Sequence, residues 1–281
     1  HGDLQTKNDA PKIARDVKSF AAHPQFAVLR DGASDTAAIR FNHEIHLTSD
    51  KVRQALGPGV ALDSWNLLFD PANAAKLSSC GIGILDNAEE TFPAALLWKG
   101  MDPKGFDAAS NEAARAAYDA IRTHVRKFGN DDELIEGLAN GTFCLVLTFS
   151  GDVQQARDRA AEYAEKAGGK PQEIRYAIPR EGAIRWIDTI AIPGDAPHPE
   201  AAQTFVNYLL EPKVIASISD EVAYANGNQD ATRLVDDDIT GDPGIYPPAE
   251  VRAKLSTVGN PSAAEAAARK QVWNSIVYGS L

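Results

Sequence analysis

Six residues have the chemistry of a cation site: Glu90, Phe149, Asp152, Trp186, Asp188 and Tyr224. An ammonium group donates charge-assisted hydrogen bonds to carboxylates and is attracted to the faces of aromatic rings. Ring walls also stack on a methylene chain. Each cation–π contact is worth about 0.5–2 kcal/mol, while a desolvated ion pair adds more or nothing according to its geometry. Each residue also has a plainer role. Asp152 follows Gly151 where a helical pattern begins, and an aspartate there commonly caps the helix. Trp186 alternates with Asp188, so both point to one face of a strand, where a Trp is usually core. Glu90 near a helix start can serve the helix dipole alone.

Other chemistries are less specific. His43-Glu-Ile-His46 sets two imidazoles at i, i+3, a spacing that on a helix can share a metal ion. The motif is not HExxH and no third ligand stands nearby, so solvated histidines are the simpler reading and no metal site is expected. Asp152 and Asp188 can be paired on paper as acid and base, as in glycoside hydrolysis, but acidic pairs are too common to mark an enzyme. The sequence has no G-x-S-x-G, no P-loop and no helix-opening G-x-G-x-x-G; Gly81-Ile-Gly83 lacks the third glycine. No catalytic residue and no cofactor are expected. Cys80 and Cys144 suit one disulfide or two buried thiols.

The elements that must position these residues alternate between strand and helix patterns. Asp70-Pro71 opens a helix through Leu77, Gly81–Leu85 reads as a buried strand, and Glu89–Lys99 as a helix. Ala114, Tyr118, Ile121, Val125 and Phe128 recur at steps of three and four, predicting one helix over Ser110–Phe128. Asp131-Asp-Glu133 begins another, which ends near Asn140-Gly141. The apolar run Phe143–Phe149, then Ser150-Gly151-Asp152 and a helix to Ala167, forms a strand–loop–helix unit with Asp152 at the strand's carboxyl end. Ligands gather at such ends in open α/β sheets. Strands follow over Ile174–Ile178 and Trp186–Ile192, then helices at Pro199–Leu210, Pro212–Ser219, Ala249–Leu255 and Ala263–Ile276. A short helix over Lys12–Ala22 and a strand over Phe26–Leu29 are expected near the front. The alternation predicts an α/β class with mainly parallel sheet.

The bulk numbers agree with a two-lobed globular chain: 281 residues, 44% hydrophobic and 24% charged. With 28 Lys+Arg against 39 Asp+Glu the net charge is -11, which repels phosphate backbones and mildly attracts cations. Nucleic-acid binding is therefore not expected. No stretch approaches the roughly 20 apolar residues of a membrane span, so the chain is not expected to be membrane-embedded. It opens on His1 without a basic-then-apolar leader, as a processed mature chain or a fragment would.

Several segments in order resemble the periplasmic putrescine- and spermidine-binding proteins of bacterial ABC transporters. They are Asp63-Ser-Trp65 through Cys80-Gly81, Leu85-Asp86, Glu90 to Phe92, Leu138-Ala-Asn-Gly141 and Ser150-Gly-Asp-Val153. Ile178-Pro-Arg-Glu-Gly182, Asn207-Tyr-Leu-Leu210, Tyr224-Ala-Asn226 and Pro243-Gly-Ile-Tyr-Pro-Pro-Ala249 continue the series. The resemblance runs from about Asp50 to Leu281. It implies a periplasmic-binding-protein type II fold, two lobes closing on a polyamine, and delivery to an inner-membrane permease from the periplasm. It places ligand contacts at Glu90, Phe149, Asp152, Trp186, Asp188 and Tyr224, with Phe149 standing where the family commonly has Trp. Asp131 stands near a polar, Ser-bearing segment of the family. The family's paired cysteines match Cys80 and Cys144, which implies a disulfide.

The front departs from the family. The βαβ unit with a Trp-Ser-Asp-Tyr-like loop and the Gly-Phe-Asp strand are not found. Residues 24–42 resemble a diverged copy of the segment leading into the first interlobe crossing, with Arg40 where the family has a small residue. The expected layout is a first-lobe remnant at 1–42, a second lobe at 43–175, a return to the first at 176–240, and a C-terminal segment on the second at 241–281. The first lobe is thus expected to be incomplete, and missing strands leave sheet edges and apolar faces to be covered. The leading functional expectation is a polyamine receptor. The alternative is a receptor-like interaction or sensor module that no longer binds ligand tightly, and an Asp152/Asp188 hydrolase ranks last.

Overall fold

The computed structural model describes residues 37–190, 192, 195–257 and 261–279, and within these not the side chains of 37–46 and 186–189. The helix and strand expected over 12–22 and 26–29 lie outside the described residues. Two compact units divide the chain. The larger comprises Asn42–Trp186 and Pro247–Leu281; the smaller takes Ile187–Tyr246 together with the chain up to Phe41. The chain therefore changes unit within two strands and at 246/247, against 42/43, 175/176 and 240/241 in the sequence layout.

The strands are β1 (Ala37–Thr48), β2 (Ile82–Leu85), β3 (Lys127–Gly129), β4 (Leu145–Phe149), β5 (Ile174–Ala177), β6 (Ala183–Ile190) and β7 (Leu255–Ser256). In the larger unit β2 pairs in parallel with β3 on one side and β4 on the other, opposing Ile84 to Phe128 and to Leu147. β1 runs antiparallel between β4 and β5, with Leu47 opposite Leu145 and Arg175. β6 and β7 form a further parallel pair. Every residue of β2 is buried, as are the first four of β4. Burial on both faces accounts for the near-continuous apolar runs of their sequences.

Helices of seven or more residues are α1 (Ser49–Leu56), α2 (Pro71–Leu77), α3 (Ala88–Trp98), α4 (Ala108–Ile121), α5 (Asp131–Ala139), α6 (Asp152–Ala167), α7 (Pro199–Leu209), α8 (Pro212–Val222) and α9 (Ala263–Tyr278). Their starts follow capping chemistry. Asp70 accepts from the Ala72 N–H at 2.8 Å with Pro71 in the first helical position. Asn87 accepts from Glu89 at 3.0 Å and Asp107 from Ser110 at 2.8 Å. Asn130 with Glu133, and Ser262 with Glu265, form capping boxes. Gly168, at φ +65°, closes α6 in the left-handed region.

Two expectations change, and one disfavoured reading is closed. The helix expected over Ser110–Phe128 ends at Ile121, followed by a 3-10 turn over Arg122–His124 and then β3. Phe128 reaches the core from this strand, its ring 5.6 Å from Trp273. The period of three and four persisted because a strand residue packed against the core also needs an apolar side chain. Helix Ala249–Leu255 ends at Arg252, and Leu255 pairs with Ala183 instead. His43 and His46 lie in β1, so the helical spacing that would let them share an ion does not arise.

The core of the larger unit joins Trp65, Phe69, Phe92, Tyr118 and Trp273, with Phe69–Tyr118 and Tyr118–Trp273 meeting edge to face at 5.1 and 5.3 Å. Two of the quoted segments lock together. Trp65 Nε1 donates to the Gly182 carbonyl at 2.9 Å, Ser64 donates to Glu181 at 2.5 Å, and Arg180 pairs with Asp63. Gly182 sits at φ +113°, and a Cβ there would lie 2.8 Å from the Lys254 carbonyl oxygen. Cys80 and Cys144 form a disulfide with Cα atoms 5.5 Å apart, just ahead of β2 and β4.

In the smaller unit, Ile215 and Ala216 of α8 pack with Ala231 and Val235. α8 ends on Ala223 in the left-handed region, and Ala223, Ala225 and Ile245 form a second cluster. Buried Asn226 donates to Ser219 Oγ at 2.9 Å, and Asn228 donates to the Leu210 carbonyl at 2.8 Å. These bonds fix the loop that carries Tyr224.

Candidate ligand-binding site

Because β2, β3 and β4 are parallel neighbours, their carboxyl ends share one edge of the sheet. Leu85 leads to α3, Gly129 to α5 and Phe149 to α6. Glu90 lies in the first turn of α3, Asp131 and Asp132 in that of α5, and Asp152 opens α6. This edge is where open α/β sheets bind ligands.

Asp152 does not cap its helix. Gly151 holds the N-cap position, and α6 has no side-chain cap bond. The carboxylate turns back to the strand instead. Its Oδ2 accepts the Thr148 hydroxyl at 2.5 Å and the Phe149 backbone N–H at 3.2 Å. Asp152 is 4% exposed and Thr148 fully buried. Burial pushes the Asp152 carboxyl up to about 6; the two hydrogen bonds oppose that rise, and the negative charges of Asp131 and Asp132 add to it. A buried carboxylate facing other carboxylates is costly alone and is relieved by a cation.

Phe149, half-buried, ends β4 opposite His43 of β1. Glu90 is half-buried. The structure thus brings Glu90, Phe149 and Asp152 to one sheet edge of the larger unit. Trp186 and Asp188 lie in β6, two positions apart; Trp186 belongs to the larger unit and Asp188 to the smaller, and their side chains lie outside the described ones. Tyr224, half-buried, follows α8 in the smaller unit.

Sequence reasoning missed Thr148. A threonine inside an apolar strand reads as a strand former, and only its offset of four from Asp152 hinted at a contact around the turn. It also left Asp86 without a role. That carboxylate accepts from Trp273 Nε1 at 2.7 Å and from the Tyr278 hydroxyl at 2.8 Å, tying α9 to the end of β2. A cavity of about 610 Å³ beside it is lined by Asp86, Asn87, Glu89, Arg269 and Lys270, among others, and takes in none of the six candidate residues. Among the described residues no group of three or more His, Cys, Asp or Glu is placed to hold a metal ion. None of the described helices is long and apolar enough to cross a membrane.

The profile of the bacterial extracellular solute-binding proteins matches residues 31–247. The chain belongs to that family. It is 40% identical over 230 residues to the putrescine-binding periplasmic protein SpuD of Pseudomonas aeruginosa (strain UCBPP-PA14), and 40% over 233 residues to the putrescine-binding periplasmic protein PotF of Escherichia coli (strain K12). Each match covers 82% of this chain and 61% of the relative. The chain therefore spans about three fifths of the length of these relatives. Among solved structures, the spermidine/putrescine ABC transporter substrate-binding protein PotD of Streptococcus pneumoniae aligns with a TM-score of 0.68 at 18% identity, covering 85% of this chain and 67% of that one. The likeness shows the fold: the α/β type II binding-protein architecture expected from sequence.

Proposed function

We propose that this solute-binding protein binds a polyamine, putrescine or spermidine, in the periplasm and delivers it to an ABC transporter permease in the inner membrane. The observation that carries the reading is Asp152: a buried carboxyl at a strand's carboxyl end, held by two neutral donors and raised to about 6 by burial and by neighbouring carboxylates. Such a group attracts an ammonium ion strongly, because pairing removes the penalty of its burial. The two relatives described above at 40% identity are putrescine-binding periplasmic proteins, which supports the same ligand class.

In this reading Glu90, Asp152 and Asp188 take the ammonium groups, and Phe149, Trp186 and Tyr224 wall the methylene chain. No catalytic step is assigned. Isothermal titration calorimetry with putrescine and spermidine tests the proposal. Saturable heat in the wild type, lost in Asp152→Asn and in Asp188→Asn, is the expected result. Equal binding in both variants contradicts the site.

A further inference from the structure

We propose that Thr148 is a positioning residue of the ligand site: its hydroxyl, with the Phe149 N–H, holds Oδ2 of Asp152 and turns Oδ1 toward the ligand's ammonium group. The proposal rests on the polyamine reading above. Both donors converge on the same oxygen, at 2.5 and 3.2 Å. The Thr148 hydroxyl has one proton to give, and giving it to Asp152 favours the ionised carboxylate. Thr148 lies within β4, fully buried and paired with Glu44 of β1. A β-branched side chain in a strand has few rotamers, so its hydroxyl is fixed in place. The charges acting on Asp152 from the neighbouring α5 are Asp131 and Asp132, and both oppose its ionisation. Thr148 therefore sustains the charged form against burial and against that field, and it does so without touching the ligand.

The variants are Thr148→Val, which keeps the branched shape and removes the donor, and Thr148→Ser, which keeps the donor. The carboxyl of Asp152 is followed by carbon-detected NMR through a pH titration, and putrescine and spermidine binding by calorimetry at pH 7. A hydrogen bond to a charged group corresponds to roughly a tenfold effect or more. The expected result is a higher carboxyl midpoint and about tenfold weaker binding in Thr148→Val, by the same principle, with both restored in Thr148→Ser. An unmoved midpoint in Thr148→Val overturns the clamp. A moved midpoint with unchanged affinity overturns the positioning role. If Thr148→Val does not fold, Thr148→Ala takes its place with the same expectations. A wild type that gives no heat with either polyamine contradicts the polyamine reading, and the clamp is then judged on the midpoint alone.

Discussion

At the scale of residues, the proposed role of Asp152 links stability to binding. Its folded carboxyl titrates near 6, above the ordinary 3.8, so the folded state holds this proton more tightly than the unfolded chain. The corresponding stability is fully present below pH 3.8 and is lost as the pH rises through 6. At pH 8 the ionised group costs about 2–3 kcal/mol. Asp152→Asn, which keeps an acceptor for Thr148 and Phe149, is expected to raise the melting temperature at pH 8 and leave it nearly unchanged at pH 4. A variant that melts lower at pH 8 contradicts this assignment. Phe149→Trp should tighten polyamine binding severalfold, because indole offers the stronger face to a cation; calorimetry of the variant reads it directly. The placing of Phe149 and Asp152 at the carboxyl end of a strand was legible in the sequence. The direction in which Asp152 turns was not, because an aspartate in this place more commonly caps its helix and the choice depends on Thr148 in the preceding strand.

Among the elements, those with local signals were read best. Asp70-Pro71 and the acidic start of α5 mark their helices by chemistry within a few residues. The helix expected over Ser110–Phe128 failed because Val125 and Phe128 keep a helical period while serving a turn and a strand. That choice is made by pairing with β2, which no local window contains. The resemblance segments around Asp63–Trp65 and Arg180–Gly182 proved to hold each other. Gly182→Ala combines a left-handed backbone with a clash against the Lys254 carbonyl, so it should destabilise by about 2–4 kcal/mol. Denaturant unfolding of the variant measures this. The disulfide closes a loop with a sequence separation of 64. Loop-closure entropy gives about 4 kcal/mol for that length. The double variant Cys80→Ser/Cys144→Ser should melt roughly 10 °C lower, since a unit of this size shifts about 2–4 °C per kcal/mol. An unchanged melting temperature would show that the cross-link contributes nothing.

For the whole molecule, the α/β class and the order of segments were legible over most of the chain, and the family membership confirms that reading. Two of the crossings between units fall inside β1 and β6, where no composition change marks them. The net charge of -11 adds a long-range attraction for polyamine cations that salt will screen. The central claim is that an ionised Asp152 receives a polyamine. It is tested most directly by calorimetric titration of the wild type with putrescine and spermidine at pH 8 and again at pH 5. The account predicts saturable binding at pH 8 that is about tenfold weaker at pH 5, as a carboxyl near 6 becomes protonated. No binding at pH 8, or binding of equal strength at both pH values, would contradict it.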